Sequence, residues 1–272
     1  MTGGYRHGVP DAIFAHPRLA AVYDAFDGPR GDLAAYLSMA AELGADRVLD
    51  VGCGTGSLAV LLARHGYTVV GADPAEASLC VAKSKDKDQA VTWVHADAAG
   101  VPAAGADLAV MTGNAAQVFL TDQDWAGALQ GIGAALRPRG HLVFETRRPE
   151  RRAWEEWAAS TSPVILDVPG SGQVEQRHEI TRVRPPFVSF RNTYTFLADG
   201  AVITSDSTLR FRSRQEVGSS LTAHGYRVQD VREAPDPRAT SSCSSPNAQP
   251  EEPDPPGRQF LPAMQIGGDA CG

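Results

Sequence analysis

Two regimes of apolar patterning divide the chain. Up to about residue 147, short apolar runs alternate with stretches whose apolar residues recur every three or four positions, whereas after residue 170 apolar and polar residues alternate one by one. HPRLAAVYDAFD (16–27) and DLAAYLSMAAEL (32–43) read as helices with one buried face each. RVLDV (47–51) reads as a strand, GCGTG as a tight turn and SLAVLLARHG as a helix with Gly66 at a left-handed C-cap. Further strands are predicted at Tyr67 to Ala72, Val91 to His95, Asp107 to Met111 and His141 to Glu145. The helix before the last of these opens at Thr121, with Asp124 as a weaker relative of a capping box, and is expected to stop at Pro138 and Gly140. This alternation predicts an α/β fold: a Rossmann-like, doubly wound parallel sheet covered on both faces.

The later alternating segments, GQVEQRHEITRV, FVSFRNTYTFL and AVITSDSTLRFR, predict an antiparallel meander inserted at 170–212 and packed beside the main sheet, with a turn at Ala198-Asp199-Gly200. A capping box, Ser213 to Glu216, opens another helix, and Tyr226 to Val231 is the last clear strand. The resulting division is an N-terminal helical lid (1–44), a main domain (45–233) and a tail (234–272). Prolines crowd the tail between Pro235 and Pro262 without apolar periodicity, so it reads as disordered or aberrant. RQFLPAMQI (258–266) could add an edge strand that Pro262 would interrupt.

Composition narrows the function classes. With 272 residues and 43% hydrophobic content the chain can bury a sizeable core. A net charge of −7 argues against a broad basic surface for nucleic acid. Its only lysines, Lys83, Lys85 and Lys87, read as a solvated helix end. The four cysteines, Cys53, Cys80, Cys243 and Cys271, have no paired spacing, so neither a structural zinc site nor a redox pair is supported. The absence of a leader-like or spanning apolar segment predicts a soluble, cytoplasmic protein with no membrane partner.

The candidate chemistry gathers at strand ends. Gly52-Cys53-Gly54-Thr55-Gly56 joins a strand to a helix, where missing side chains let a ligand approach the backbone. Asp50 precedes that turn, Asp73 closes the second strand and Asp97 follows the third. An acid after the second strand is placed to accept both hydrogen bonds of a ribose diol. A nicotinamide dinucleotide is the alternative ligand, but its GxGxxG spacing is not met by GCGTGS.

VLDVGCGTG, VVGADP, VTWVHADA, DLAVMTGN and ALRPRGHLVFE, in this order, resemble the class I S-adenosylmethionine-dependent methyltransferases of small-molecule type. The resemblance is strongest over 45–147. It implies a sheet in the order 3-2-1-4-5-7-6 with an antiparallel seventh strand, and S-adenosyl-L-methionine across the carboxyl ends of the first strands. By position, Asp50, Gly52, Cys53, Gly54 and Gly56 would lie under the methionine part. Asp73, with Pro74, would take the ribose, Asp97 and Ala98 the adenine, and the backbone and side chains of Met111 and Thr112 would close on the amino acid end.

Methyl transfer needs alignment of an acceptor with the sulfonium and no covalent residue, so the absence of a catalytic triad says nothing against it, and no catalytic base is assigned. His95 and His178 have no claim to that role. For the acceptor, Tyr23 and Tyr36 are lid aromatics or ordinary packing, and Asn114 and Gln117 are acceptor ligands or loop caps. Glu145, Arg147 and Arg148 end the fifth strand, where at least one is expected in the pocket. Trp125, Trp154 and Trp157 read as core. TGNA at 112–115 lacks the motif the family associates with methylation of exocyclic base amines, which favours a small-molecule acceptor over DNA or RNA. Protein or RNA methylation, or binding without turnover, remains the alternative, for a monomer or a homodimer.

The chain departs from the family after Val231, where a hydrophobic final strand is expected and REAPDPRATSSCSSPNAQP stands instead. Three readings follow. The sixth strand is unsupported, or RQFLPAMQI makes a long excursion to fill the gap, or the reading frame changes near Asp236.

Overall fold

The computed structural model describes residues 9–159 and 162–233, and the backbone of 259–266. Three helices come first, α1 (Ala12–Ala15), α2 (Pro17–Asp27) and α3 (Leu33–Glu42). The α/β core follows as β1 (Arg47–Val51), α4 (Ser57–Arg64), β2 (Thr68–Asp73), α5 (Glu76–Lys85), β3 (Val91–His95), β4 (Ala106–Met111), α6 (Asp122–Ala135) and β5 (Leu136–Thr146). Then come α7 (Trp154–Ala159), β6 (Val164–Val168), β7 (Gly172–Arg184), β8 (Phe187–Phe196), β9 (Ala201–Arg210), α8 (Arg214–Ala223), β10 (Tyr226–Val228), β11 (Arg232–Glu233) and β12 (Gln259–Ile266).

The main sheet runs β10-β12-β5-β4-β1-β2-β3, with β11 paired to β12. β1 to β5 are mutually parallel, so the order 3-2-1-4-5 is the one expected. Alternation along the strands sends successive side chains to opposite faces. Leu49, Ala109, Met111, Leu142 and Phe144 pack towards Trp125, Leu129 and Ile132 of α6. Val48, Leu108, Val110 and Val143 pack on the other side, with Tyr36 and Met39 of α3 and Leu58 and Leu62 of α4. Tyr36 is therefore a core residue, only 1% exposed. Trp125 is core too: it meets the Phe144 ring edge-on at 5.5 Å and donates its indole N–H to Ser220 Oγ.

Several boundaries differ from expectation. The helix α6 ends at Ala135, and β5 begins at Leu136 and runs through Pro138 and Gly140 rather than starting after them. A register irregularity against β4 between Ala106 and Leu108 absorbs the missing proline N–H. Gly140 lies where a Cβ would come 3.0 Å from the Ala106 carbonyl, so close strand contact requires glycine there. The strand expected at Tyr226 to Val231 is broken into β10 and β11. Residues 259–266 take the long excursion: β12 pairs antiparallel with both β5 and β10, filling the position of the doubtful seventh strand, and its ladder is irregular between Leu261 and Met264. The rest of the tail, read as disordered or aberrant, lies outside the described residues.

The meander forms a separate sheet of four strands, β6-β7-β8-β9, in place of three. β6 was missed because SPVILDV carries no clean alternation. The inner face is apolar at both ends. Val174, Tyr194 and Phe196 pack on Ile13, Leu19 and Val22 of α1 and α2, while Val188 and Leu209 pack with Phe211 on Trp154 of α7. The capping box at Ser213 and Glu216 and the Thr121 cap form as predicted. No helix among the described residues is long and apolar enough to cross a membrane.

Candidate functional site

The glycine turn leaves β1 with three left-handed residues, Gly52 (φ 70°), Gly54 (φ 53°) and Gly56 (φ 78°), which exposes backbone towards the carboxyl end of the sheet. Asp73, closing β2, braces this loop. Its Oδ2 accepts the Gly54 N–H at 2.8 Å and its Oδ1 accepts the Ala75 N–H at 2.8 Å. Burial raises the Asp73 pKa, and these two amides oppose the rise.

Asp50 shares its face of β1 with Val48, so it points towards the α3 side of the sheet. It is 1% exposed, and among the described residues neither carboxylate oxygen has a hydrogen-bond partner of normal geometry; the Ala59 amide approaches only closely enough to temper its pKa. Burial first and Asp73 second push its pKa up to about 7, with Arg30 opposing. An orphaned buried carboxylate beside an open glycine loop fits a cationic ligand group.

On the neighbouring strand, β3 pairs with β2 so that His95 stands opposite Asp73, and Asp97 follows two residues on. The exposed Asp97 uses Oδ1 to accept the Gly100 N–H at 2.8 Å, so it shapes its own turn. Ala98 is buried against α6, where a Cβ on Gly131 would stand 2.3 Å from the Ala98 carbonyl oxygen. Gly131→Ala is therefore expected to destabilise the fold by about 2 kcal/mol through overpacking, read as a lower urea midpoint. Gly127→Ala is the tolerated control, because its Cβ would meet Ala99 at an ordinary 3.7 Å.

Other proposed ligand-loop residues are placed unevenly. Met111 ends β4 with its side chain wholly buried in the core, so only its backbone can face the crevice; Thr112 is half-buried. The Cys53 thiol is buried beside Gly71, and burial raises its pKa well above the usual range. The Pro74 carbonyl contacts His95 Nε2 at 2.9 Å. Trp93 went unnoticed in the sequence, yet its ring fills the slot between Gly56 and Gly71.

The lid is fastened to the loop. Thr55 Oγ1 donates to Asp24 Oδ1 of α2 at 2.5 Å, and Lys85 Nζ donates to Asp24 Oδ2 at 2.7 Å and to Ser57 Oγ at 3.2 Å. Lys85 is thus a bridge across three elements rather than a solvated helix end. Arg30, also missed, makes a bidentate pair with the buried Asp32 at 2.8 Å and reaches Asp27 at 3.2 Å. Only the RxD spacing could have hinted at it.

Beside the loop, a cavity of about 180 Å³ lies between α1, α2, the segment after β4 and the inner face of the second sheet. Phe14, Tyr23, Phe26, Phe190 and Tyr194 form its aromatic walls, and Asp11, Asp27, Asn114, Gln176, Asn192 and Ser207 its polar lining. Of the residues expected to meet an acceptor, Tyr23 and Asn114 line this cavity. Gln117, Glu145 and Arg147 are buried away from this lining. Gln117 Oε1 accepts from the Arg147 backbone N–H at 3.3 Å, and the Arg147 guanidinium lies over the Trp157 ring, 5.0 Å from its centre. Arg148 pairs with Glu233. His178 Nδ1 lies 2.9 Å from Asn192 Oδ1 beneath the cavity wall.

Comparison with known proteins agrees with this geometry. The methyltransferase-domain family model matches residues 48–140. An uncharacterized methyltransferase of Mycobacterium bovis is 37% identical over 114 residues, 41% of this chain and 56% of its own length. The chain spans between 20% and 56% of the length of the first curated relatives it matches. In fold, it resembles the sugar N-methyltransferase KedS8 from Streptoalloteichus, with a TM-score of 0.69 at 17% identity over 98% of each chain. It also resembles CalS10, an amino pentose methyltransferase from Micromonospora echinaspora solved with SAM bound, with a TM-score of 0.65 at 20% identity over 90% of this chain and 97% of that one. The domain match runs from β1 into β5, across the parallel sheet wound in the order 3-2-1-4-5, so residues 48–140 are similar to a methyltransferase domain in both sequence and fold.

Proposed function

We propose that the protein methylates nitrogen or oxygen of a small-molecule acceptor held in the cavity between the N-terminal helices and the second sheet. The observation that carries this reading is the position of that cavity. It adjoins the segment after β4 and shares α2 with the glycine loop, through Tyr23 on one side and Asp24 on the other. Its volume, about 180 Å³, compares with the ~150 Å³ cavity that holds one benzene ring, which suits a single small ring better than a folded macromolecule. Two structural neighbours, the sugar N-methyltransferase KedS8 and the amino pentose methyltransferase CalS10, support the same class of acceptor.

When bound, S-adenosylmethionine supplies a methyl group made electrophilic by its sulfonium. Gly52, Gly54 and Gly56 would leave backbone room for it, Asp50 would pair with its ammonium, and Asp73 would accept from its ribose hydroxyls. Asp97 Oδ2 and the Ala98 amide would hold its adenine, with the backbones of Met111 and Thr112 and the small Cys53 and Pro74 completing the loop walls. Phe14, Tyr23 and Phe26 close the acceptor side against water, so orientation and desolvation carry the rate.

Calorimetric titration tests the reading. S-adenosylmethionine is expected to bind and NAD not to, and incubation with a metabolite mixture is expected to release S-adenosylhomocysteine. NAD binding, or no S-adenosylmethionine binding, overturns it; binding without turnover reduces the protein to a sensor.

A pH dependence follows from Asp50. Only its ionised form pairs with an ammonium, and its pKa lies near 7, so binding expels a proton when Asp50 starts protonated. The affinity for S-adenosylmethionine is expected to rise by roughly tenfold between pH 6 and pH 7.5 and then level off. The fold itself moves the opposite way: a raised native pKa stabilises the protonated form, a contribution lost as pH rises through about 7. Asp50→Asn should flatten the binding profile, as calorimetry across buffers would show.

A further inference from the structure

The cavity's polar lining is one-sided in a way that the general reading does not require. We propose that the acceptor is an amine, whose protonated nitrogen is held by the Asp11 carboxylate and Asn114 Oδ1, with Asp11 taking its proton. This deepens the small-molecule reading and rests on it.

The charge inventory points to Asp11. No lysine or arginine lines the cavity among the described residues, whereas two aspartates do. Asp27 lies 3.2 Å from Arg30 and shares that guanidinium with Asp32. Asp206, the charge that acts on Asp11 from β9, is held by Arg191 in a bidentate pair at 2.7 and 3.0 Å. Asp11 has only the Ser207 hydroxyl as a side-chain partner among the described residues. Among the described residues it is the pocket carboxylate that faces no basic side chain.

The neighbouring dipoles present acceptors as well. Asn114 Oδ1 is buried with no hydrogen-bond partner among the described residues. Gln176 donates one Nε2–H to Tyr194 Oη at 2.6 Å and has its Oε1 free of any hydrogen bond among the described residues. A ligand carrying several N–H donors and a positive charge satisfies this set. A carboxylate or phosphate would instead face two acidic groups across a low-dielectric wall, and a hydroxyl would leave Asp11 without a counter-charge.

Burial raises the Asp11 pKa above the ordinary carboxylate value, which makes it a better proton acceptor than an exposed aspartate. In the proton step one N–H bond breaks and one O–H bond forms on Asp11. The nitrogen keeps the electron pair and becomes neutral, and the carboxylate becomes a neutral acid, so charge balances. The lone pair is then available for alkylation.

Matched acceptor probes test the proposal. Cyclohexylamine, cyclohexanol and cyclohexanecarboxylate form one set; 2-amino-2-deoxyglucose, glucose and glucuronate form a second. Each is titrated into the full chain saturated with S-adenosylhomocysteine. In at least one set the amine is expected to bind at least tenfold more tightly than the alcohol, with the carboxylate weakest. In Asp11→Asn, which keeps the shape and a hydrogen bond to Ser207, that preference should fall to within about threefold while the S-adenosylmethionine Kd stays the same. The preference is a ratio measured within one sample, so partial misfolding of the variant cancels. Equal binding of the three members in both sets, including no measurable binding, overturns the amine assignment, and so does an unchanged preference in the variant. Failure of S-adenosylmethionine itself to bind is a separate result that overturns the functional reading and this one together.

Discussion

Asp73→Ala is expected to weaken S-adenosylmethionine binding by about 1.5–3 kcal/mol, roughly 10- to 100-fold in Kd, because a carboxylate that accepts from two ribose hydroxyls makes charge-assisted hydrogen bonds. The loss has a second source. Both carboxylate oxygens already hold backbone amides, of Gly54 and Ala75, so truncation also releases the glycine loop from the end of β2. Asp73→Asn separates the two: one amide oxygen can still brace the loop, but the charge is gone. Because Asp73 is also a cause of the raised Asp50 pKa, the midpoint of the pH profile should move to lower pH in both variants. Calorimetry at several pH values reads both effects, and an unchanged Kd in Asp73→Ala would remove the ribose assignment.

Gly56→Ala should cost still more stability, about 3 kcal/mol, measured by urea denaturation. A left-handed alanine costs roughly 1–2 kcal/mol, and overpacking adds a similar amount. At φ 78° the new Cβ would stand 2.5 Å from Trp93 Cη2 and 2.8 Å from Ala82 Cβ. The indole has nowhere to retreat. The same ring edge also lies over Gly71, where a Cβ would come within 2.7 Å of Cζ3, and the indole N–H is held by Asp86 Oδ2 at 3.1 Å. Replacing Trp93 by leucine in the same chain should recover part of the loss by emptying the slot; no recovery would mean that the backbone angle alone sets the cost.

The glycine turn and the strand-end acids proposed for the cofactor were legible in the sequence because they are local. A strand, a glycine turn and a helix lie within RVLDVGCGTGSLAVLLAR, and the acids at 50, 73 and 97 follow from strand ends that hydrophobic runs mark. The acceptor half was largely illegible because it is assembled from distant segments. Asp11 has meaning only through Ser207, on β9. Arg30 matters because it sits over Asp32 and near Asp50, which three-residue spacing hardly announces. Glu145 and Arg147 were expected in the acceptor pocket from their place at the end of β5; both side chains are buried and neither lines the cavity proposed for the acceptor. The strand β12 was weighed against two other readings because Pro262 argues against pairing; the irregular ladder around Leu261 and Met264 shows how the sheet accommodates it.

The helix α2 serves two neighbours at once: Asp24 grips Thr55 in the glycine loop, and Tyr23, Phe26 and Asp27 wall the acceptor cavity. A rigid body shared in this way makes the two occupancies thermodynamically reciprocal. Whatever order the loop gains from one ligand is felt as pre-organisation by the other, in equal measure in both directions. The fastening of one short helix thus gives the fold a means of letting each ligand tighten the hold on the other.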